Sequence, residues 1–282
     1  MNIFLSSACI NEKKIEKVLN IFLRNKYKQI ELTGNLTYNK NFLNILKFYQ
    51  KKYNFEYLIH NYFPAPKLPF MLNLGSSNKD VQKKSLNNAI KSINTCHELN
   101  IKKISFHAPF LIDFSYKQAG TRITKYKIME KKFVIRLLKN NLNFLNSIAG
   151  NKIQIYLENN VISKINYNFF KKKNFFLFTD FKSFQDLRNE INFKPLVDIG
   201  HLKVSSKTLG LNFENEFLDL QKFTDYFHLS DNNGDEDSNK AISANSNILK
   251  LLKHIQCKKK YLTLEIYESW RKIQNTINNI SK

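Results

Sequence analysis

Cysteine is scarce and badly placed for any shared task. Cys9, Cys96 and Cys257 are odd in number and far apart, with no CxxC-type pair. That excludes a disulfide framework, a cysteine zinc knuckle and a dithiol redox centre, and a reducing cytoplasm is the expected location. Long apolar runs are missing too. No stretch reaches the ~18 residues that a membrane-spanning helix needs, and MNIFLSSACINEKK has no basic segment ahead of its short apolar run, as a signal peptide would. Arginine is the third shortage. Lys and Arg total 45 against 23 Asp and Glu, a formal charge of +22, yet only Arg24, Arg122, Arg136, Arg188 and Arg271 are arginines. Bidentate contacts to phosphates and base edges favour the guanidinium fork. The lysines are instead scattered through every predicted helix, among abundant Asn, Ile and Phe. The charge reads as a solvated, lysine-rich surface of the kind an A/T-rich coding bias produces, and nucleic acid is not expected as a partner.

What the chain has in plenty is apolar and aromatic residues, 43% hydrophobic with 24 Phe and 13 Tyr, enough for a large core. Short strand-like runs alternate with helical stretches. NIFLSSA at the start precedes a helix over about 11–26, where Ile15, Val18, Leu19, Phe22 and Leu23 share one face at i, i+3, i+4, i+7, i+8 spacing. KQIELTG then leads to a helix over about 41–52. FEYLIHNY runs into a loop with Pro64, Pro66 and Pro69, after which Ser77 or Asn78 caps a long helix to about Leu99. KKISFHAP precedes a long basic helix expected over about 122–148 and stopped by Ala149-Gly150-Asn151. KIQIYLENN is followed by an irregular segment and a helix near 183–191. FKPLVDIGH, a helical connector and DYFHLSDNNGDEDSN supply two more strands; a helix over about 242–255 precedes YLTLEIY and a terminal helix with Trp270. Strict alternation of strand and helix is the pattern of right-handed βαβ units around a parallel sheet. Eight such units in 282 residues predict an α/β fold of the closed (β/α)8, or TIM-barrel, type, with residues 1–282 forming one domain.

The polar chemistry gathers at strand ends. His60, His107, His201 and His228 lie at or just beyond predicted strand C-termini, as do Glu31, Glu158, Asp198, Asp231 and Glu265. In a barrel those ends converge on one rim. Glu158, Asp198, His228 and Glu265 close the last four strands and form the best metal constellation. Three carboxylates and one imidazole suit Mn²⁺ or Mg²⁺, with Co²⁺ or Zn²⁺ tolerated. Each residue alone is compatible with a rim ion pair or a satisfied structural group; four on consecutive strands point to a site.

These same residues carry a resemblance. LIHNYFPAP with MLNLGSS, ISFHAP, IYLENN, LVDIGH, FHLSDNNGDEDSN and LTLEIY follow the order and intervals of the xylose-isomerase-like TIM barrels, which include sugar isomerases, epimerases, dehydratases and the endonuclease IV nucleases. The resemblance covers nearly the whole chain. It implies that Glu158, Asp198, His228 and Glu265 bind one divalent metal ion and that Glu158 and Glu265 double as the acid/base pair, as in ketose epimerases. It implies that His201, His107 and His60 contact the substrate, with Asp237 beside them. The implied reaction is isomerisation or epimerisation of a sugar or sugar phosphate, with a homodimer compatible because dimers are common among such barrels. The rival is the three-metal nuclease acting on abasic DNA. It needs two further histidines, and this chain has Ser76 after NLG and Asp237-Ser238-Asn239 where the nuclease has Asp-Arg-His. A polyol or keto-acid dehydratase and a non-catalytic barrel are further alternatives. In HNYFPAPKLPF, Tyr62 and Phe63 are candidates for a lid wall, and Lys67 and Arg122 for a contact to a substrate phosphate or carboxylate.

Overall fold

A computed structural model describes residues 2–255 and 259–281, so Cys257 lies outside the described residues. The chain order of strands is also their order around a closed parallel barrel: β1 (Asn2–Ser6), β2 (Gln29–Leu32), β3 (Glu56–His60), β4 (Lys103–His107), β7 (Gln154–Glu158), β8 (Lys194–Asp198), β9 (Tyr226–Leu229) and β10 (Tyr261–Leu264), which pairs back onto β1. The remaining two strands, β5 (Ile112–Phe114) and β6 (Tyr126–Ile128), form an antiparallel hairpin outside the barrel.

The helices are α1 (Ile15–Arg24), α2 (Phe42–Tyr53), α3 (Lys79–Leu99), α4 (Lys131–Ala149), α5 (Lys164–Phe169), α6 (Phe181–Glu190), α7 (Ile199–Leu209), α8 (Phe213–Leu220), α9 (Asn247–Leu252) and α10 (Trp270–Ser281). α1 buries Ile15, Val18, Leu19 and Phe22, four of the five residues its spacing put on one face. Asn78 caps α3, its side-chain oxygen accepting from the Asp80 and Val81 amides at 3.0 and 3.3 Å.

Two helices differ from the sequence expectation, each for a local reason. The helix expected from Arg122 starts at Lys131, because the hairpin intervenes. The Gln118 side chain ties off its loop, its oxygen accepting from the Thr124 amide at 2.8 Å and its nitrogen donating to the Lys125 carbonyl at 2.9 Å. Phe110, Ile112, Ile123, Ile162, Phe170 and Phe176 pack beneath it as a separate apolar cluster. The helix expected from Ile242 starts only at Asn247. The Ile242 amide is bonded to the Thr276 hydroxyl of α10 at 3.0 Å, and Ser246 provides the cap instead, accepting from Ile248 at 3.1 Å.

Successive strand residues face opposite sides of the sheet, so a strand contributes to the barrel interior at every second position. Phe4, Leu58, Tyr156, Leu196 and Tyr226 fill its lower half as one buried cluster, with Tyr261 against it. Fully burying an aromatic or aliphatic side chain of this size contributes about 1.5–3 kcal/mol. The bottom is latched by Lys103, which touches the Tyr156 hydroxyl and pairs with Asp225 at 2.8 Å. Two residues above Leu58, Tyr156, Leu196 and Tyr226 come His60, Glu158, Asp198 and His228. The period of the strand itself thus sets a polar tier on an apolar plug.

Candidate active site

Glu158 is the centre of that tier, and its two carboxylate oxygens face different partners. Oε1 lies 3.1 Å from His228 Nδ1 and 3.7 Å from His201 Nδ1. Oε2 lies 3.2 Å from His60 Nε2 and 3.3 Å from His107 Nδ1. The expected ligands meet at His228 Nδ1, which also lies 3.8 Å from Glu265 Oε2 and 3.9 Å from Asp198 Oδ2. Oxygen and nitrogen donors held ~2.1 Å from one ion are separated from each other by roughly 3–4.2 Å, which is the range of these distances to His228 Nδ1. Glu158, Asp198 and His228 also lie within 4.8 Å of one another, whereas Glu265 joins no such mutual group among the described residues. Asp198 Oδ2 and Glu158 Oε2 are buried without a hydrogen-bond donor among the described residues, as atoms reserved for a cation would be. Buried ligand groups with atoms within 4.8 Å of one another are Glu158–Asp198–His228, His60–His107–Glu158 and Glu31–His60–His228.

Local structure aims each ligand. Asp198 ends β8 and caps α7, accepting from the His201 amide through Oδ1 at 2.6 Å. That leaves Oδ2 for the site. Asn159 clamps the same residue, accepting from the Asp198 amide at 2.6 Å and donating to its carbonyl at 3.0 Å. Gly200 lets α7 approach closely: a Cβ there would come within 2.6 Å of Ser230 Oγ and 3.2 Å of Asp198 Oδ1. His201 Nδ1 lies 2.9 Å from the Asn159 carbonyl, which can only accept, so it carries a hydrogen. Its Nε2 faces Asp237 Oδ2 at 3.2 Å, and Asn239 donates to that oxygen at 3.3 Å.

The electrostatics separate the carboxylates. Burial pushes the Glu158 acid up, but His107, His60 and His228 outweigh it and hold the carboxylate well below the usual range. Burial raises Glu265 to about 8, helped by Glu158, Glu31 and Asp198 and opposed by His228. Burial likewise raises Asp198 to about 6, with His201 opposing. Burial pushes His60 and His107 below the ordinary histidine range, with Glu158 opposing. His201 and His228 are driven well above it because Asp198 and Asp237, and Glu31, Glu265 and Glu158, overcome their burial. Neutral imidazoles and anionic carboxylates are the forms that bind metal.

A cavity of about 700 Å³ opens over the tier and is lined by His60, His107, His201, Asp237 and Glu265. His60, His107, His201 and Asp237 therefore reach one space. Arg122 lines it and is the one Lys or Arg to do so among the described residues, in a chain that carries 45. Tyr62 forms part of its wall, held by donating to the Phe70 carbonyl at 2.5 Å. Its neighbour Phe63 turns the other way, buried edge-on against Phe42 at 5.6 Å, and is no part of the wall. Lys67 lines an adjoining pocket instead. Asp231 stands outside the cluster, paired with Lys203 at 2.6 Å and accepting from Ser246 at 2.6 Å. Ser76 is also committed elsewhere, donating to Asp113 of the hairpin at 2.6 Å.

One member of the tier had been seen at a strand end but given no task. Glu31, on β2, is fully buried with His228 Nε2 2.9 Å from Oε1 and 3.2 Å from Oε2. The signal was its place in KQIELTG, equivalent to that of the ligands on the other strands.

Comparison with known proteins gives a family and a fold. A family model described as xylose isomerase-like TIM barrel matches residues 27–273. No curated protein matches the sequence. Among solved structures, a D-tagatose 3-epimerase-like protein superposes with a TM-score of 0.72 at 17% identity, covering 100% of this chain and 98% of that one. A D-psicose 3-epimerase from Clostridium cellulolyticum H10 gives 0.65 at 12%, over 99% and 96%. The 3-keto-D-glucoside 4-epimerase of E. coli gives 0.67 at 10%, over 100% and 98%. At these identities the likeness is one of fold. No helix among the described residues is long and apolar enough to cross a membrane.

Proposed function

This chain belongs to the xylose isomerase-like TIM barrels, and on that premise we propose that it is a divalent-metal-dependent isomerase or epimerase of a sugar or sugar phosphate. The observation that carries the proposal is the meeting of Glu158, Asp198 and Glu265 oxygens around His228 Nδ1, buried behind His60 and His107 and reached at the cavity wall through Glu265. Those four residues would hold Mn²⁺ or Mg²⁺. When bound, the cation supplies Lewis-acid stabilisation of the negative charge that an enediolate develops on the substrate's oxygens. The chain's own residues do the rest. Glu158, kept ionised by its histidines, and Glu265, protonated until about pH 8 in the metal-free protein, form an acid/base pair whose environments push them apart. One carboxylate removes the proton beside the carbonyl and the other returns one. Return to the same carbon from the opposite face inverts the centre; return to the neighbouring carbon moves the carbonyl. His60, His107, His201 and Asp237 line the space where hydroxyls would be held, and Tyr62 helps exclude water.

The composition of the cavity favours a small substrate over DNA. A groove that grips phosphodiesters is lined with cations, whereas this one offers Arg122 alone among the described residues. A dehydratase would share the proton abstraction but release water from the next carbon, and product analysis separates the two.

The test is solvent-deuterium incorporation into a panel of sugars and sugar phosphates by the Mn²⁺-loaded protein. Glu158→Gln and Glu265→Gln are each expected to lower exchange by at least 100-fold with an unchanged melting temperature. Activity within twofold of the parent in either variant rejects the acid/base assignment. Cleavage of abasic DNA without any sugar exchange rejects the function.

A further inference from the structure

We propose that Glu31 is the positioning residue of this site, fixing the hydrogen of His228 on Nε2 so that Nδ1 is presented bare to the cation. The inference rests on the reading that Glu158, Asp198, His228 and Glu265 hold that cation. Glu31 comes from β2, while His228 comes from β9, two strands beyond β1 around the barrel, so the contact spans the interior. Both Glu31 oxygens approach the same imidazole nitrogen, at 2.9 and 3.2 Å. A carboxylate can only accept, so in the metal-free fold Nε2 donates to Glu31 and Nδ1 to Glu158 at 3.1 Å; when Nδ1 gives up its hydrogen to bind a cation, Glu31 holds the remaining one on Nε2. Nδ1 is the atom that faces the three ligand carboxylates. The Thr263 hydroxyl, in register with His228 on β10, donates to Glu31 Oε2 at 3.2 Å and steadies the carboxylate.

A purely structural reason for Glu31 is poor. It is fully buried, and among the described residues its side-chain partners are His228 and Thr263, with no Lys or Arg. A buried carboxylate is unfavourable by several kcal/mol unless well paired, and an apolar residue in its place is often neutral or stabilising. A carboxylate on the far nitrogen of a metal-bound histidine, by contrast, fixes the ring and makes the ligating lone pair more basic.

The competing use of Glu31 is direct ligation together with His60 and His228, whose ligand atoms cluster with its own. Among the described residues only Nδ1 of His60 makes a hydrogen bond, to the Ser105 hydroxyl at 2.9 Å, while its Nε2 faces Glu158 Oε2 at 3.2 Å, on the side of the Glu158 carboxylate rather than of Glu31. Glu31 Oε2 is hydrogen-bonded to His228 Nε2 at 3.2 Å and accepts from Thr263 as well, which spends that oxygen on the imidazole and the hydroxyl.

The experiment measures Mn²⁺ affinity and stoichiometry by calorimetry for the full chain, Glu31→Gln and Glu31→Leu. It adds histidine ¹⁵N spectra of the Zn²⁺-loaded parent, which need no variant. Expected are coordination of His228 through Nδ1 with a proton on Nε2, affinity about 10-fold weaker in Glu31→Gln and about 100-fold weaker in Glu31→Leu, and unchanged stoichiometry. Gln still accepts from Nε2 and so retains part of the effect, which a loss of packing alone would not produce. Affinity within threefold of the parent in Glu31→Leu, or coordination through Nε2, overturns the proposal. A stoichiometry that falls by one ion per chain in Glu31→Gln overturns it in favour of ligation. If the parent binds no Mn²⁺ at all, the metal-dependent function falls and this inference falls with it; if the parent binds and Glu31→Leu binds as tightly, the role of Glu31 alone is refuted.

Discussion

Burial raises the Glu265 carboxyl to about 8 and the Asp198 carboxyl to about 6, and both acids are therefore proton-bound in the metal-free fold at pH values where they would ionise in an unfolded chain. Between pH 6.5 and 8 the native state binds more protons than the unfolded one at Glu265, and also at His201 and His228, whose affinities are raised. Stability then falls as pH rises. His60 and His107 have lowered values and oppose this in part near pH 6.5, until the unfolded rings have lost their protons too, and the change at Glu158 lies at lower pH. The metal-free protein should melt several degrees lower at pH 8 than at pH 6.5, about 3–8 °C for a linkage of one to two kcal/mol. Added Mn²⁺ should remove the slope, because the cation takes the place of the protons. A metal-free melting temperature that is flat or rises over that range would contradict the assignment of Glu265. At this scale the sequence was legible where chemistry and position coincided: Glu158, Asp198, His228 and Glu265 end strands and do meet. Glu31 ends a strand too, but nothing in a linear chain says that β2 reaches His228 across the barrel. Asp231 shows the converse, a carboxylate in the right place by count whose side chain is taken by Lys203 and Ser246.

Elements hold these residues through close approaches that tolerate little. α7 starts directly from Asp198, and its first turn lies so near β9 that Gly200 has no room for a side chain. Gly200→Ala should push against Ser230 and shift Asp198, lowering Mn²⁺ affinity about 10-fold and the melting temperature by about 3–6 °C, as expected for overpacking by one methyl group. Removing the opposing hydroxyl in Gly200→Ala/Ser230→Ala should restore much of both; if the double variant is no better than the single one, the close approach is not the cause. Strands and long helices could be read from their periods, α3 almost to the residue and α1 to its buried face though four residues early at its start. The hairpin could not, because its order comes from the Gln118 side chain within its own loop and from apolar partners such as Ile162, Phe170 and Phe176, distant in sequence from the helix pattern it interrupts. The start of α9 was lost in the same way, to a hydrogen bond from Ile242 to α10.

For the molecule as a whole, the contrast between exterior and cavity is the telling property. A charge of +22 surrounds a cavity lined by one arginine and no lysine among the described residues. Nonspecific duplex DNA should therefore be retained at about 50 mM salt and released by about 200 mM, without cleavage, as the counterion-release dependence of a surface contact requires. Binding that persists at high salt would point to a built nucleic-acid groove. Eight alternating units made the barrel legible from sequence, and the barrel in turn made the rim legible. The cavity's shape was not, since it depends on loops such as the one that turns Tyr62 inward and Phe63 outward.

The two-residue step from plug to polar tier has one more consequence. Leu58 and His60, Tyr156 and Glu158, Leu196 and Asp198, and Tyr226 and His228 are each a rung apart on a single strand, so the depth of the reactive floor is measured from below, by the plug, and not from above, by the loops. The walls can be rebuilt to admit a longer or wider guest without raising or lowering that floor. The hairpin, with an apolar cluster of its own, is the part best suited to being exchanged.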